Sequence, residues 1–192
     1  IVTQHFQKSL AGVDISRGKF LLVYNVIIKY LQNFINMELQ RVKRHNIKIL
    51  ALEEKYEVSL NIPGLDFPVI LKGTLDRVDE IDGTVRIIDY KTGKVEPKNV
   101  KITDWEELIT EYDKSKAFQL LCYAYMFHKK HGTTPLLAGI YSFKNLSQGL
   151  FSFVEDKNTL INQDTLVSFE NQLNNLIMDI FEAELPLTEK RD

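Results

Sequence analysis

Cysteine is almost absent from the 192 residues: Cys122 stands alone. No disulfide can close within the chain, and no four-thiolate zinc or iron-sulfur site can be built from it alone. A reducing, intracellular setting fits best. Net charge is scarce as well, because 24 Lys and Arg face 26 Asp and Glu, for a net charge of -2. There is no global cationic field to hold nucleic acid, so any phosphate contact must come from local patches. Long apolar runs are missing too. No window approaches the roughly 18 uninterrupted apolar residues of a spanning helix, and the start, IVTQHFQKSL, has no signal-peptide pattern. A cytoplasmic protein without membrane contact is expected. Internal repeats, low-complexity stretches and linkers are also lacking, so residues 1–192 are expected to form a single domain. The chain has no initiating Met and stops just after a helical pattern, as a domain taken from a longer polypeptide would.

Periodicity supplies the elements. Over 19–44, Phe20, Val23, Ile27, Tyr30, Leu31, Phe34, Ile35 and Leu39 recur at three- and four-residue steps and predict a long amphipathic helix. The run 47–60 alternates, with Leu50, Leu52, Tyr56, Val58 and Leu60 on one parity and Glu54 interrupting it. Two more strands, 69–80 and 84–95, flank Asp82-Gly83, a dipeptide that readily takes the positive φ values of a tight hairpin turn. Thr103 and Glu106 have capping-box spacing for a short helix, and 114–130 is a longer helix stopped near Gly132 and Pro135. Two β runs, 136–143 and 150–154, precede a last amphipathic helix over 160–184. This order predicts a mixed α/β domain.

The hairpin concentrates acid. The stretch GTLDRVDEIDGTVRIIDYKTG, residues 73–93, carries Asp76, Asp79, Glu80, Asp82 and Asp89. If Asp82 and Gly83 are the loop, Ile81 pairs with Thr84, and stepping outward brings Asp76 opposite Asp89 and Thr74 opposite Lys91. Facing carboxylates repel, so something must offset them. Lys91 emerges on the face of Asp89, while Tyr90 points away and leaves its carbonyl close to the pair. Two acids and a carbonyl form a hard-oxygen nest suited to Mg²⁺ or Mn²⁺. A surface salt-bridge group would use the same residues.

Gly73, Asp76, Arg77 and Asp79, followed by Asp89, Tyr90, Lys91 and Gly93, read G-x-x-D-R-x-D and then D-Y-K-T-G. These blocks strongly resemble the RecB-type nucleases of the PD-(D/E)XK superfamily. A third block, Gln119 to Tyr123, is similar to that family's Q-x-x-x-Y motif. The resemblance covers roughly 47–130 and implies a restriction-endonuclease-like α-β-β-β-α-β core with flanking helices. Nearest in pattern are the C-terminal nuclease domains of AddB-like helicase-nuclease subunits, which process double-strand breaks. The resemblance implies a DNA nuclease, most simply an exonuclease, working beside a helicase subunit or domain. It assigns Asp76, Asp89 and the Tyr90 carbonyl to the metal, and Lys91 to the attacking water. Gln119 and Tyr123, four apart on one helix face, would border the site; packing alone is the other reading of Tyr123.

The pattern departs from the family in two ways. No G-x-x-x-H precedes the first strand, and His5 and His45 are poorly placed for the family's upstream His, so the chain is expected to start after it. Some relatives hold an iron-sulfur cluster through several cysteines, whereas Cys122 lies on an apolar helix and reads as a core thiol. Lys94, Lys98, Lys101, Lys114 and Lys116 could guide a DNA strand or serve as ordinary surface cations. A nuclease-fold scaffold that binds DNA without cutting it is the main alternative. A structure-specific endonuclease is the third.

Overall fold

Asp82 and Gly83 take φ values of 49° and 86°, and β2 (Val69–Ile81) turns through them into β3 (Thr84–Lys91). The turn is tied back to the start of β1 (Ile47–Leu60), since Asn46 N–H donates to Asp82 Oδ1 at 2.9 Å and Asp82 N–H donates to the Asn46 carbonyl at 3.0 Å. The computed structural model describes residues 2–9 and 17–182. Two compact units are present, Ile1–His45 and Asn46–Asp192.

In the first unit, helix α1 (Val2–Ser9) sets Phe6 edge-on to Tyr24 of α2 (Gly18–Val42), with ring centroids 5.4 Å apart. Of the stripe expected on α2, Ile27, Tyr30, Leu31 and Phe34 are half-buried, while Phe20, Val23, Ile35 and Leu39 are exposed. The N-terminal half of α2 is apolar on several sides, so spacing alone does not say which side is covered.

The second unit is built on a five-stranded sheet in the order β1-β2-β3-β5-β6, where β5 is Leu137–Ser142 and β6 is Phe151–Ser152. Strands β1, β2 and β3 form an antiparallel meander, and β5 (Leu137–Ser142) runs parallel to β3. A parallel neighbour requires a crossover, supplied by α4 (Ser115–His131), which packs on β1, β2, β3 and β5. Gly132, at φ 67°, ends α4 and donates its N–H to the His128 carbonyl at 2.7 Å. The final helix, α5 (Gln163–Phe181), packs on α4 and is capped by Asn162, whose Oδ1 accepts the Thr165 N–H. Its expected extension over 183–184 lies outside the described residues. The main core includes Leu75, Val78 and Ile87 from the sheet, Leu120, Leu121 and Ala124 from α4, and Phe169 and Leu173 from α5. Cys122 belongs to this core, where burial pushes its thiol pKa up to about 12. A mixed sheet with the crossover helix against it is the restriction-endonuclease-like arrangement.

Several element boundaries differ from expectation for local reasons. β3 ends at Lys91 rather than running to Val95. The chain is drawn off the sheet by Ser142 Oγ, which donates to the Gly93 carbonyl at 2.7 Å, and by Asn145 Nδ2, which donates to the Val95 carbonyl at 2.8 Å. The capping box at Thr103 does not form. Asp104 Oδ1 accepts the Glu106 N–H instead, and α3 (Glu107–Thr110) begins later.

The run 150–154 splits between two sheets. Phe151–Ser152 (β6) joins the large sheet, whereas Val154–Glu155 (β7) pairs with Lys101–Ile102 (β4). Gly139 allows the close approach: a Cβ there would lie 2.8 Å from Leu150 Cγ and 2.9 Å from the Phe151 carbonyl oxygen. Because one of those neighbours is backbone, Gly139→Ala is expected to destabilise the protein by about 1–3 kcal/mol, read as a lower urea midpoint.

Candidate active site

Strands β2 and β3 pair in the register read from their turn, from Ile81 with Thr84 to Arg77 with Ile88. One step further, the ladder gives way to a side chain. Asp76 Oδ2 accepts the Tyr90 N–H at 2.9 Å, so a carboxylate replaces the backbone acceptor that a continued ladder would have offered. The pairing of Thr74 with Lys91 does not form; Thr74 pairs with Lys55 of β1, and Lys91 with Ser142 of β5.

The lapse coincides with a break in alternation. On β2, Leu75 and Val78 both belong to the core although they lie three residues apart; on β1, Ala51 packs against that core while Tyr56 lies within it. Pairs Glu54 with Leu75 and Leu52 with Arg77 are kept, and between them Glu53 adopts a φ of 48°. A residue in the left-handed region shifts which parity faces inward, as a bulge does. This is why Leu52, on the parity of Tyr56, is exposed rather than buried; Leu50, also exposed, lies at a second irregularity, where the register with β2 shifts between Ile49 and Ala51. Asp76 shares the parity of Val78, so it emerges on the α4 side of the sheet.

Asp89 alternates with the core residue Ile87 and also emerges toward α4. It is only 3% exposed. Burial is the main cause that pushes its carboxyl pKa up; the Lys91 ammonium opposes this, and the neighbouring Asp76 adds to it. Lys91 Nζ donates to Asp89 Oδ1 at 3.3 Å and lies 3.1 Å from Oδ2. Oδ2 is nevertheless buried without accepting a hydrogen bond. Its charge partner is the Lys91 ammonium, and its lone pairs, which accept no hydrogen bond, could also face a metal cation. A strand residue's N–H and C=O leave toward the same neighbour, which sends the Tyr90 carbonyl toward β2 as well.

The face of α4 turned to these acids carries Tyr123. Its hydroxyl accepts a hydrogen bond from Gln119 Nε2 at 2.7 Å, and its pKa is raised, first by burial and then by the charges of Asp89 and Asp76 against the opposing bond from Gln119. The Gln119 and Tyr123 motif therefore lies within electrostatic reach of the acid pair. Gly73 explains the approach, because a Cβ there would stand 3.0 Å from Met126 Cε and 3.3 Å from Tyr123 Cε1. Gly73→Ala is expected to push the Tyr123 ring outward and slow any reaction at this site by about tenfold, at a stability cost below about 1 kcal/mol. Rate and thermal melting measured on the same preparation check both halves.

A family model of the PD-(D/E)XK nuclease superfamily matches residues 9–192. The chain belongs to that superfamily. Its members are nucleases that typically use divalent metals. Compared with curated proteins, the chain matches none. As a PD-(D/E)XK protein it gathers Asp76, Asp89, Tyr90 and Lys91 at one end of the β2–β3 pair, with Gln119 and Tyr123 above them. Among the described residues, no three His, Cys, Asp or Glu side chains form a metal-ligating group. Two carboxylates, one with a buried oxygen that accepts no hydrogen bond, together with a backbone carbonyl still suit a hard divalent cation. Nor does any described helix have the length and apolarity to cross a membrane.

Other candidates are placed less favourably for a site. Glu54 pairs with Lys130 at 2.8 Å, and Glu53 is exposed. Three members of the lysine row already have acids: Lys94 pairs with Glu96 at 2.6 Å, Lys98 with Asp113 at 2.6 Å and Lys114 with Glu107 at 3.2 Å. His5 lies on α1 and His45 follows α2.

Sequence reasoning passed over one group. Asp79 is fully buried, and its two oxygens accept Nε and Nη2 of Arg86, both at 2.8 Å, while Arg77 Nη2 lies 2.6 Å from Oδ2. The register rule that brought Asp76 toward Asp89 also opposes Asp79 to Arg86, and it was the available signal.

Proposed function

We propose that this domain is a divalent-metal-dependent deoxyribonuclease of the RecB type, an exonuclease that works with a helicase subunit or domain in double-strand break repair. The observation that carries this reading is the buried Asp89 carboxylate, with one oxygen that accepts no hydrogen bond, between Asp76 and Lys91. Asp76, Asp89 and the Tyr90 carbonyl would hold Mg²⁺ or Mn²⁺. When bound, such an ion supplies positive charge against the phosphate oxygens and acidifies water at neutral pH.

The chain's own groups do the rest. The Lys91 ammonium, whose side chain is one-third exposed, reaches out from Asp89 to orient a water and to stabilise negative charge growing on the phosphate. Water adds to phosphorus as the bond to the leaving sugar oxygen breaks, and that oxygen takes up a proton. Asp89 keeps the ammonium directed at the reacting phosphate. Gln119 holds the Tyr123 hydroxyl beside them, where the pair can contact the DNA backbone.

The test is degradation of end-labelled linear single- and double-stranded DNA with Mg²⁺ or Mn²⁺, using the wild type and the variants Asp89→Ala and Lys91→Ala. Metal-dependent loss of the labelled end that vanishes in both variants is the expected result. Cutting of circular single-stranded DNA would replace the exonuclease reading with an endonuclease. Metal and DNA binding without any cutting would leave a DNA-binding scaffold.

A further inference from the structure

The two acids are each followed in sequence by a residue that points to the other face of the sheet: Arg77 after Asp76 and Tyr90 after Asp89. On that face Arg77 Nη1 donates to the Tyr90 hydroxyl at 3.5 Å, and its Nη2 is held 2.6 Å from Asp79. Asp79 is in turn fixed by the two-pronged fork of Arg86. The Tyr90 ring lies nearly parallel to that of Tyr141 on β5, at 19° and 6.3 Å between centroids. Tyr90 is thus gripped at its ring and at its hydroxyl, while its N–H is given to Asp76 on the near side.

This grip sits where backbone pairing has ended. The last ladder pair is Arg77 with Ile88, and past it side-chain contacts to Tyr90 join β2 to β3. The spacing of Asp76 and Asp89, two like charges that would move apart if free, is held by those contacts. A buried, bidentate ion pair defines geometry well even where its net contribution to stability is small.

We propose that Arg77, fixed by Asp79 and Arg86 and reaching the Tyr90 hydroxyl, is a positioning residue that holds Asp76 and Asp89 at cation-binding separation from the opposite face of the sheet. The inference rests on the metal-site reading given above. Arg77 touches neither the metal nor the DNA; it acts through the backbone shared with Asp76 and through Tyr90. Groups of this kind, one step behind the ligands, commonly change metal affinity by about 10- to 100-fold when altered.

The experiment measures Mn²⁺ affinity from the electron paramagnetic resonance of the free ion, with thermal melting on the same samples. Four chains are compared: wild type, Arg77→Lys, Tyr90→Phe and Asp89→Ala. Tyr90→Phe keeps the amide bond to Asp76 and removes only the far-side hydroxyl, so it reports even if Arg77→Lys folds poorly. The expected result is a weakening of about tenfold for Arg77→Lys and about threefold for Tyr90→Phe, with cleavage recovering in both as Mn²⁺ is raised to saturation. A merely structural ion pair would lower melting without moving affinity. Unchanged affinity in Tyr90→Phe, together with unchanged affinity in any folded Arg77→Lys, overturns the proposal while Asp89→Ala still abolishes binding. If Asp89→Ala binds Mn²⁺ like the wild type, the metal-site reading itself fails and takes the positioning role with it.

Discussion

Asp89→Asn is expected to lower metal-dependent cleavage by about a thousandfold or more while leaving the apo protein at least as stable as the wild type. The first half follows from the loss of a carboxylate that would both hold the cation and direct Lys91. The second follows from what Asp89 is without metal: a nearly fully buried acid, beside Asp76, with an oxygen that accepts no hydrogen bond. Asparagine keeps the shape and removes the buried charge. The lost ion pair costs little, because the Lys91 side chain is one-third exposed and can turn to solvent.

The pH dependence has a definite sign. The folded carboxyl has its pKa raised above the ordinary 3.8, so the fold binds this proton more tightly than the unfolded chain does. The stabilisation from that proton is fully present below 3.8 and is lost as pH rises through the folded value. In metal-free buffer the advantage of Asp89→Asn should therefore be largest near neutrality and disappear in acid. Urea denaturation at several pH values, alongside the cleavage assay, checks both statements. A variant that lost activity by unfolding would contradict them.

Asp79→Ala should behave in the opposite way. Asp79 lies on the same hairpin and is equally buried, yet both its oxygens are used by guanidinium groups. Removing it leaves Arg86, 3% exposed, without an acid on its fork. Breaking a buried pair from one side costs about 3–5 kcal/mol, a large share of the roughly 5–15 kcal/mol by which domains are stable. The expected result is a loss of that size in urea denaturation, with poor recovery of folded protein at physiological temperature. If Asp79→Ala melted like the wild type, the pair would be dispensable. Two aspartates of one hairpin thus differ in what they sustain, and the number of donors facing each carboxylate is the reason.

The element order, the Asp82-Gly83 turn and its register were legible because they depend on local chemistry: positive φ at two residues and a side-chain period of two. The Gln119 and Tyr123 face was legible for the same reason, since four residues make roughly one turn. Leu50 and Leu52 are exposed because alternation assumes an unbroken strand, whereas Glu53 at φ 48° breaks it beside Leu52 and the register with β2 shifts between Ile49 and Ala51, at Leu50. The β3 boundary was overrun because Ser142 and Asn145, from β5 and the turn after it, are what draw 93–95 away. No window around β3 contains those residues.

Sequence by itself determined which residues meet across the hairpin from the turn as far as Arg77 and Ile88, because a two-residue turn leaves one register, and it supplied the motifs that mark a PD-(D/E)XK nuclease. Tertiary structure alone decided how the acids are held. The ladder stops at Arg77 and Ile88, Asp76 takes the Tyr90 N–H, and Asp89 loses its water beneath α4. Burial and hydrogen-bond satisfaction are sums over neighbours from distant parts of the chain, and only the assembled sheet and helix bring those neighbours together.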